Sequence, residues 1–135
     1  MNFVDTNILL YAFGPDEDSD RPAVARRLIA AGDIAFSIQV FQEFFVQATH
    51  SRRDEPLTSE EAEEVIESLS AFPVQENNLP VLREALRIQR EFQTSFWDAN
   101  ILSAAHALGC EIVWSEDLAH GQDYRGVRVV NPFVE

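Results

Sequence analysis

Four carboxylates stand apart from the other acids of this chain. Asp5 is the only charged residue between positions 1 and 15, and Glu43 the only one between 37 and 50. Asp98 is alone between 92 and 110, counting histidine as neutral. Asp117 follows the apolar run Ile112-Val113-Trp114, in the turn Ser115-Glu116-Asp117. Most of the 23 acids lie in solvated clusters instead, such as Asp16-Glu17-Asp18 and the run from Glu60 to Glu67. The isolated four have no adjacent base, and an unpaired ionised carboxylate is costly to bury in apolar surroundings. Several of them facing one cavity must protonate or hold cations. Hard divalent ions, Mg²⁺ or Mn²⁺, are the matched guests for an all-oxygen donor set.

Each acid also has a plainer use. Asp5 can cap a helix that begins at Thr6. Asp98, three residues after Ser95, suits a first helical turn. Glu43 can be a rim residue beside Gln39 and Gln47, which share its stripe at spacing four, and Asp117 a turn residue. The set, rather than any member, argues for a site.

For the set to meet, the elements must bring it together. Residues 2–5 read as a short strand, followed by a helical turn from Thr6. A helix over 20–31 is opened by Ser19 or Asp20, carries Pro22 in its first turn and closes at Gly32. Ile34-Ala35-Phe36 is a second strand, and 39–50 a helix with Val40, Phe41, Phe44, Phe45 and Ala48 inward. Thr58 and Glu61 form a capping box for the next helix. Phe72-Pro73-Val74 reads as an edge strand, because proline removes a ladder donor. Helices over 79–93 and 96–108 follow, the second apolar almost all round and so the most buried. Ile112–Trp114 and Val127–Val130 complete the strands.

This alternation predicts one α/β domain over 1–135 with a mainly parallel sheet. In such sheets ligands bind past the carboxyl ends of the strands, where strand order reverses. Asp5 and Asp117 both fall there. If the first and fourth strands are neighbours, the start of the helix bearing Asp98 can join them, and Glu43 can close the ring from the side.

Composition narrows the classes further. The chain has 135 residues, 46% of them hydrophobic, with 10 Phe and 2 Trp. That is enough apolar surface to offset the entropy of ordering, so disorder is excluded. A single cysteine, Cys110, excludes a disulfide framework. No run is long and apolar enough to span a bilayer, and no signal peptide is visible, so a cytoplasmic location is expected. The net charge is −13, and all 10 bases are arginine. Without lysine there is no Walker-type phosphate loop, and phosphatases that depend on a lysine are disfavoured. The three histidines are not spaced as zinc ligands, and no G-x-S-x-G nucleophile elbow occurs. His120 is close enough in sequence to Asp117 to lie near a site.

Four segments in order, Phe3-Val4-Asp5-Thr6-Asn7-Ile8-Leu9, Gln42-Glu43-Phe44, Phe96-Trp97-Asp98-Ala99-Asn100-Ile101-Leu102 and Ser115-Glu116-Asp117-Leu118, resemble the acidic motifs of PIN-domain nucleases. The tail, with Gly121-Gln122, Tyr124, Gly126-Val127 and Asn131-Pro132-Phe133, looks like the end of the VapC-type toxins within that family. The resemblance implies a five-stranded parallel sheet in the order 3-2-1-4-5, flanked by helices on both faces. It implies a Mg²⁺- or Mn²⁺-dependent ribonuclease, restrained by a VapB-like antitoxin and typically homodimeric. On this analogy Asp5, Glu43, Asp98 and Asp117 form the acidic, metal-holding site, with Thr6, Ser115 and Glu116 supporting it. Asp117 is preferred to Glu116 because the family usually shows Ser or Thr, one residue, then Asp. Asn100 stands where many relatives carry an aliphatic residue.

The acidic balance runs against an RNA enzyme, which usually shows a basic patch. Bound metal inverts the local potential. Arg83, Arg87 and Arg90 share one helix face, and Arg52-Arg53 follows the Glu43 helix. Pairing of the face with Glu84 and Glu91 stands ahead of phosphate contact. The alternative functions are a non-catalytic PIN-like binding or dimerisation module and, less favoured, a Mg²⁺-dependent phosphatase.

Overall fold

The computed structural model describes residues 1–134; the expected domain boundary at Glu135 lies outside them. Strands β1 (Asn2–Val4), β2 (Ile34–Ser37), β3 (Val74–Gln75), β4 (Ile112–Trp114), β5 (Asp123–Tyr124) and β6 (Val127–Val130) form one sheet in the order β3-β2-β1-β4-β6-β5. The helices are α1 (Thr6–Ala12), α2 (Arg21–Ala31), α3 (Ile38–Ala48), α4 (Ser59–Leu69), α5 (Leu79–Phe92) and α6 (Phe96–Ala107). All pairings are parallel except β5 with β6.

The expected order 3-2-1-4-5 is present, with β6 as its last member and one further strand outside it. This sixth strand corrects the five expected. Asp123–Tyr124 is too short to show the alternation by which strands are read. It pairs back through Arg125 and Gly126, both at positive φ (57° and 91°), as a tight two-residue hairpin requires. Arg125 is held in that conformation from outside, by ion pairs to Glu84 and Glu91 of α5, each 2.6 Å long. Glu91 therefore pairs with the hairpin rather than with the α5 arginines; only Arg87 takes the expected partner, Glu84, at 3.0 Å.

Several boundaries follow local chemistry. The Thr58–Glu61 capping box is reciprocal, with Thr58 N donating to Glu61 Oε1 at 2.9 Å and Glu61 N donating to Thr58 Oγ1 at 3.1 Å. Ser37 starts α3 by accepting from Val40 N at 3.3 Å, and Ser95 starts α6 by accepting from Asp98 N at 3.1 Å. β3 begins one residue after Pro73, whose carbonyl still accepts from Phe36 N at 3.0 Å. An edge position suits a segment that lacks one donor.

All four residues of β2 are buried, so that strand is covered on both faces. α6 runs against β2, β3, β4 and β6 with α5 packed on it, while α1 packs against α2 and α3. Phe3, Phe36, Phe44, Ile8, Leu9 and Leu102 fill the core. Burying each such side chain stabilises by roughly 1.5–3 kcal/mol. This rigidity holds the carboxyl ends of β1 and β4 level, with Val4 opposite Trp114. No helix among the described residues is long and apolar enough to cross a membrane.

Candidate active site

Because Val4 and Trp114 are in register, the residues that follow them face each other. Asp5 N donates to Trp114 O at 3.0 Å. Ser115 Oγ donates to Asp5 Oδ2 at 2.8 Å, and Asp5 Oδ1 accepts from Thr6 N at 2.7 Å. Asp5 thus caps α1 as the plainer reading expects, and also lies at the floor of a cavity. It is only 8% exposed. Burial pushes its carboxyl up to about 6, against the hydrogen bonds from Ser115 and Thr6; the charges of Glu43 and Asp117 add smaller upward pushes. Desolvation, more than mutual repulsion among the acids, makes this group unusual.

The cavity, about 90 Å³, is lined by Asp5, Glu43, Asp98 and Asp117 together with Thr6, Asn7, Gln39 and Trp97. All four acids singled out in the sequence meet there. Glu43, half-buried on α3, accepts from Gln39 Nε2 at 3.0 Å. Asp98 reaches the cavity from the first turn of α6. Asp117 accepts from Asn7 Nδ2 at 3.1 Å, while its own backbone N–H donates to Ser115 Oγ at 3.2 Å. Ser115 is fully buried beneath them.

Glu116 turns away. Its carboxylate accepts from Arg21 Nε at 2.6 Å and from Tyr11 OH at 2.7 Å, outside the cavity lining. These partners hold Glu116 below the ordinary glutamate range against the opposing effect of burial. His120 is also engaged elsewhere, accepting from Asn131 N at 2.9 Å.

Three polar neighbours were not identified as functional from the sequence. Asn7 clamps the β4 turn from both ends: its carbonyl accepts from Glu116 N at 3.2 Å and its amide holds Asp117. Gln39 is 5% exposed. It donates to Glu43 and, at 3.3 Å, to the Trp97 carbonyl, and it accepts from Asn100 Nδ2. Asn100 thereby completes this amide chain. The signals were present: Asn7 lies within the first motif, and Gln39 is one helical turn from Glu43.

The donor set suits a hard divalent ion on three counts. It is all oxygen, no cationic side chain lines the cavity, and none of the four acids enters an ion pair among the described residues. Thr6 Oγ1 is moreover buried without a hydrogen-bond partner among the described residues, an orphan of the kind that asks for an explanation. The acids share the cavity without forming a finished cage: no three His, Cys, Asp or Glu groups among the described residues are gathered tightly enough for that. Like charges keep apart, and the amides of Gln39 and Asn7 hold two of them to the walls.

Comparison with known proteins agrees with this architecture. A toxin–antitoxin complex from Klebsiella pneumoniae superposes with a TM-score of 0.71 at 20% identity, covering 98% of each chain. VapC20 of Mycobacterium tuberculosis, described as a toxin that cleaves the sarcin–ricin loop, gives 0.68 at 19% identity over 87% of this chain and 92% of its own. DNA-bound VapBC from Salmonella typhimurium gives 0.63 at 19% identity over 95% of both. At these identities the likeness speaks for the fold. No curated protein sequence matches the chain. The PIN domain family model matches residues 3–122. That match runs from β1 to the residue before β5 and takes in every element that carries a cavity acid, and on it the chain belongs to the PIN-domain family.

Proposed function

We propose that this protein is a Mg²⁺- or Mn²⁺-dependent endoribonuclease, the toxin of a VapBC-type toxin–antitoxin pair, acting in the cytoplasm. The observation that carries the reading is Asp5: a buried carboxylate, level with an unpartnered Thr6 hydroxyl, in a cavity with three further acids and no cation. Asp5, Glu43, Asp98 and Asp117 would hold the ion, with Thr6 and Ser115 shaping the floor. A bound divalent ion supplies an acidified water and a positive clamp on the phosphodiester. The chain's own contribution is placement. Ser115 orients Asp5, Gln39 orients Glu43, Asn7 orients Asp117, and the Ser95 cap fixes the turn that presents Asp98. Such partners commonly matter nearly as much as the ligands they steady.

Partner binding has its own support. An apolar groove of about 520 Å³ lies between α2 and α4, lined by Phe13, Ile29, Leu57, Val65 and Phe72 and edged by Glu61 and Glu64. A basic amphipathic antitoxin segment suits it, and the net charge of −13 favours such a partner. The exposed apolar residues Leu79, Leu82 and Leu86 of α5 favour a homodimer. The decisive assay incubates RNA with the protein plus Mg²⁺ or Mn²⁺. Cleavage lost in EDTA and in Asp5→Asn supports the nuclease. Equal cleavage in either, or metal binding without cleavage of any RNA, turns the reading toward contamination or a non-catalytic module.

A further inference from the structure

On the α5 side the acid cavity ends at Trp97, which is 64% exposed. Trp97 also borders a pocket of about 370 Å³ lined largely by apolar side chains, among them Leu79, Val81, Leu82 and Phe96. That is the face given above to the homodimer, so a substrate strand has to leave the cavity another way. Leu10 of α1 marks such a way, because it lines the acid cavity and also a second cavity of about 210 Å³. This second cavity shares no lining residue with the α5 pocket or with the groove between α2 and α4.

Asn7, Leu10 and Tyr11 share one face of α1, within about 6 Å along the helix axis, and lead from the first cavity into the second. Leu10, Tyr11 and Pro15 form an apolar wall there, and Arg53 is the one base. Arg53 is partly buried, a placement that arginine rarely takes without a partner. Yet it enters no ion pair among the described residues. The arginine side-chain hydrogen bonds among those residues come from Arg21, Arg26, Arg87 and Arg125 instead. Three acids on the same rim leave Arg53 unclaimed. Asp16 pairs with Arg26 at 2.7 Å, Glu17 accepts from Ser19 Oγ at 2.7 Å, and Asp54 is not in ion-pair range of it. All three are exposed, so water and salt screen them. The loop that presents Arg53 is closed by its own backbone: Arg53 N donates to His50 O at 3.0 Å, and Leu57 N to Ala48 O at 2.9 Å.

The other arginines outside ion pairs stand elsewhere: Arg27 on α2, Arg83 and Arg90 on α5 with the dimer residues, Arg128 on β6, and Arg52 exposed on the loop. Only Arg53 lines the cavity that meets the acid site at Leu10. We infer that Arg53 anchors an RNA phosphate next to the cleaved one, and that the strand leaves the acid cavity along α1, over Leu10. The inference rests on the ribonuclease reading and adds the path of the substrate. A guanidinium offers five donors to a phosphate, and such a contact positions the strand without reading its sequence.

The test follows the anisotropy of short 5′-fluorescein single-stranded RNA against KCl at one fixed, low Mn²⁺ concentration, in an Asp5→Asn background that holds off cleavage. Arg53→Gln weakens binding about 10-fold at low salt and makes the log–log salt dependence shallower by about 0.7, the value for one phosphate on a single strand. Arg53→Lys keeps the slope and most of the affinity. Arg27→Gln, which lines neither cavity, changes neither quantity. A neutral methylphosphonate moved along the RNA reproduces the loss at one position with Arg53 present, and there adds nothing to Arg53→Gln. In the active protein Arg53→Gln raises KM and leaves kcat nearly unchanged. Unchanged affinity and slope in Arg53→Gln, an equal loss in Arg27→Gln, or no recovery in Arg53→Lys overturns the inference. So does an absence of RNA binding by the background protein. Arg53-dependent binding without cleavage by the wild-type chain would sink the nuclease reading alone; cleavage with a KM indifferent to Arg53 would sink only the anchor.

Discussion

Ser115 donates its hydroxyl to Asp5 at 2.8 Å although 110 positions separate the two in sequence. One strand end presents the carboxylate and the neighbouring strand end presents the group that orients it. The same Ser115 oxygen accepts the Asp117 and Leu118 N–H groups at 3.2 and 3.3 Å, so a single buried hydroxyl links two cavity acids. Ser115→Ala is expected to destabilise the protein by about 1–3 kcal/mol and to push the Asp5 carboxyl higher still, since a downward influence is removed. Chemical denaturation measured near neutral pH checks the first outcome, and a shift of the protonation step to higher pH checks the second.

Asp5 gives the protein a distinctive pH dependence. Its folded-state value of about 6 exceeds the ordinary 3.8, so the folded chain binds this proton more tightly than the unfolded chain does. Above pH 6 the ionised, buried group destabilises the fold by about 3 kcal/mol; the penalty fades as pH falls through 6. Metal-free Asp5→Asn should therefore melt above wild type at about pH 7–8, with the advantage shrinking toward about pH 4. A constant difference across that range would refute the assignment.

For Asp98 the prediction separates metal holding from helix capping. Ser95 already serves the α6 N-terminus through Asp98 N, a bond that Asp98→Asn leaves intact. The metal-free melting temperature of Asp98→Asn should equal or exceed that of wild type, while stabilisation by added Mg²⁺ disappears. A large metal-free loss would favour a purely structural first-turn role.

Glu116 and Asp117 are adjacent yet face different surroundings, and substitution should separate them. Glu116→Gln weakens a partly exposed ion pair to Arg21, costing on the order of 1 kcal/mol or less after solvent screening, with cleavage largely retained. Asp117→Asn should keep stability and lose most of the metal-dependent cleavage. The reverse pattern in a side-by-side assay would reassign the site.

Gln39 offers a fifth check. Gln39→Leu removes the donor on Glu43 and the link to Trp97 O, and it strands the Asn100 amide. Mn²⁺ affinity, read by calorimetry, should fall about 10- to 100-fold, the usual scale for losing a group that orients a ligand. Unaltered affinity would mean that Glu43 needs no such support.

Asp5, Glu43 and Asp98 were visible in the sequence because solitude is visible, a charge amid apolar residues with no nearby base standing out, whereas Asp117, beside Glu116, was marked only by its place in the turn after the apolar run Ile112-Val113-Trp114. The capping box at Thr58 and Glu61, the stop at Gly32 and the apolar α6 were legible for the same reason, being local. The β5 hairpin was not, because two residues carry no period. Nor was the pairing of Glu91 with Arg125 rather than with a neighbour on its own helix, since that depends on where the hairpin folds back. Glu116 and Asp117 could be ranked only by analogy until the turn's direction was known.

By itself, then, the order of residues determined which side chains had the chemistry for a divalent ion, and the alternation that builds a parallel α/β sheet. Tertiary structure alone decided their company. Register between β1 and β4 set Ser115 against Asp5, the amides of Asn7, Gln39 and Asn100 fell into line only when three helices and a turn converged, and Trp97 was left exposed between two cavities. Burial and hydrogen bonding between distant segments are properties of packing, and no local pattern encodes them.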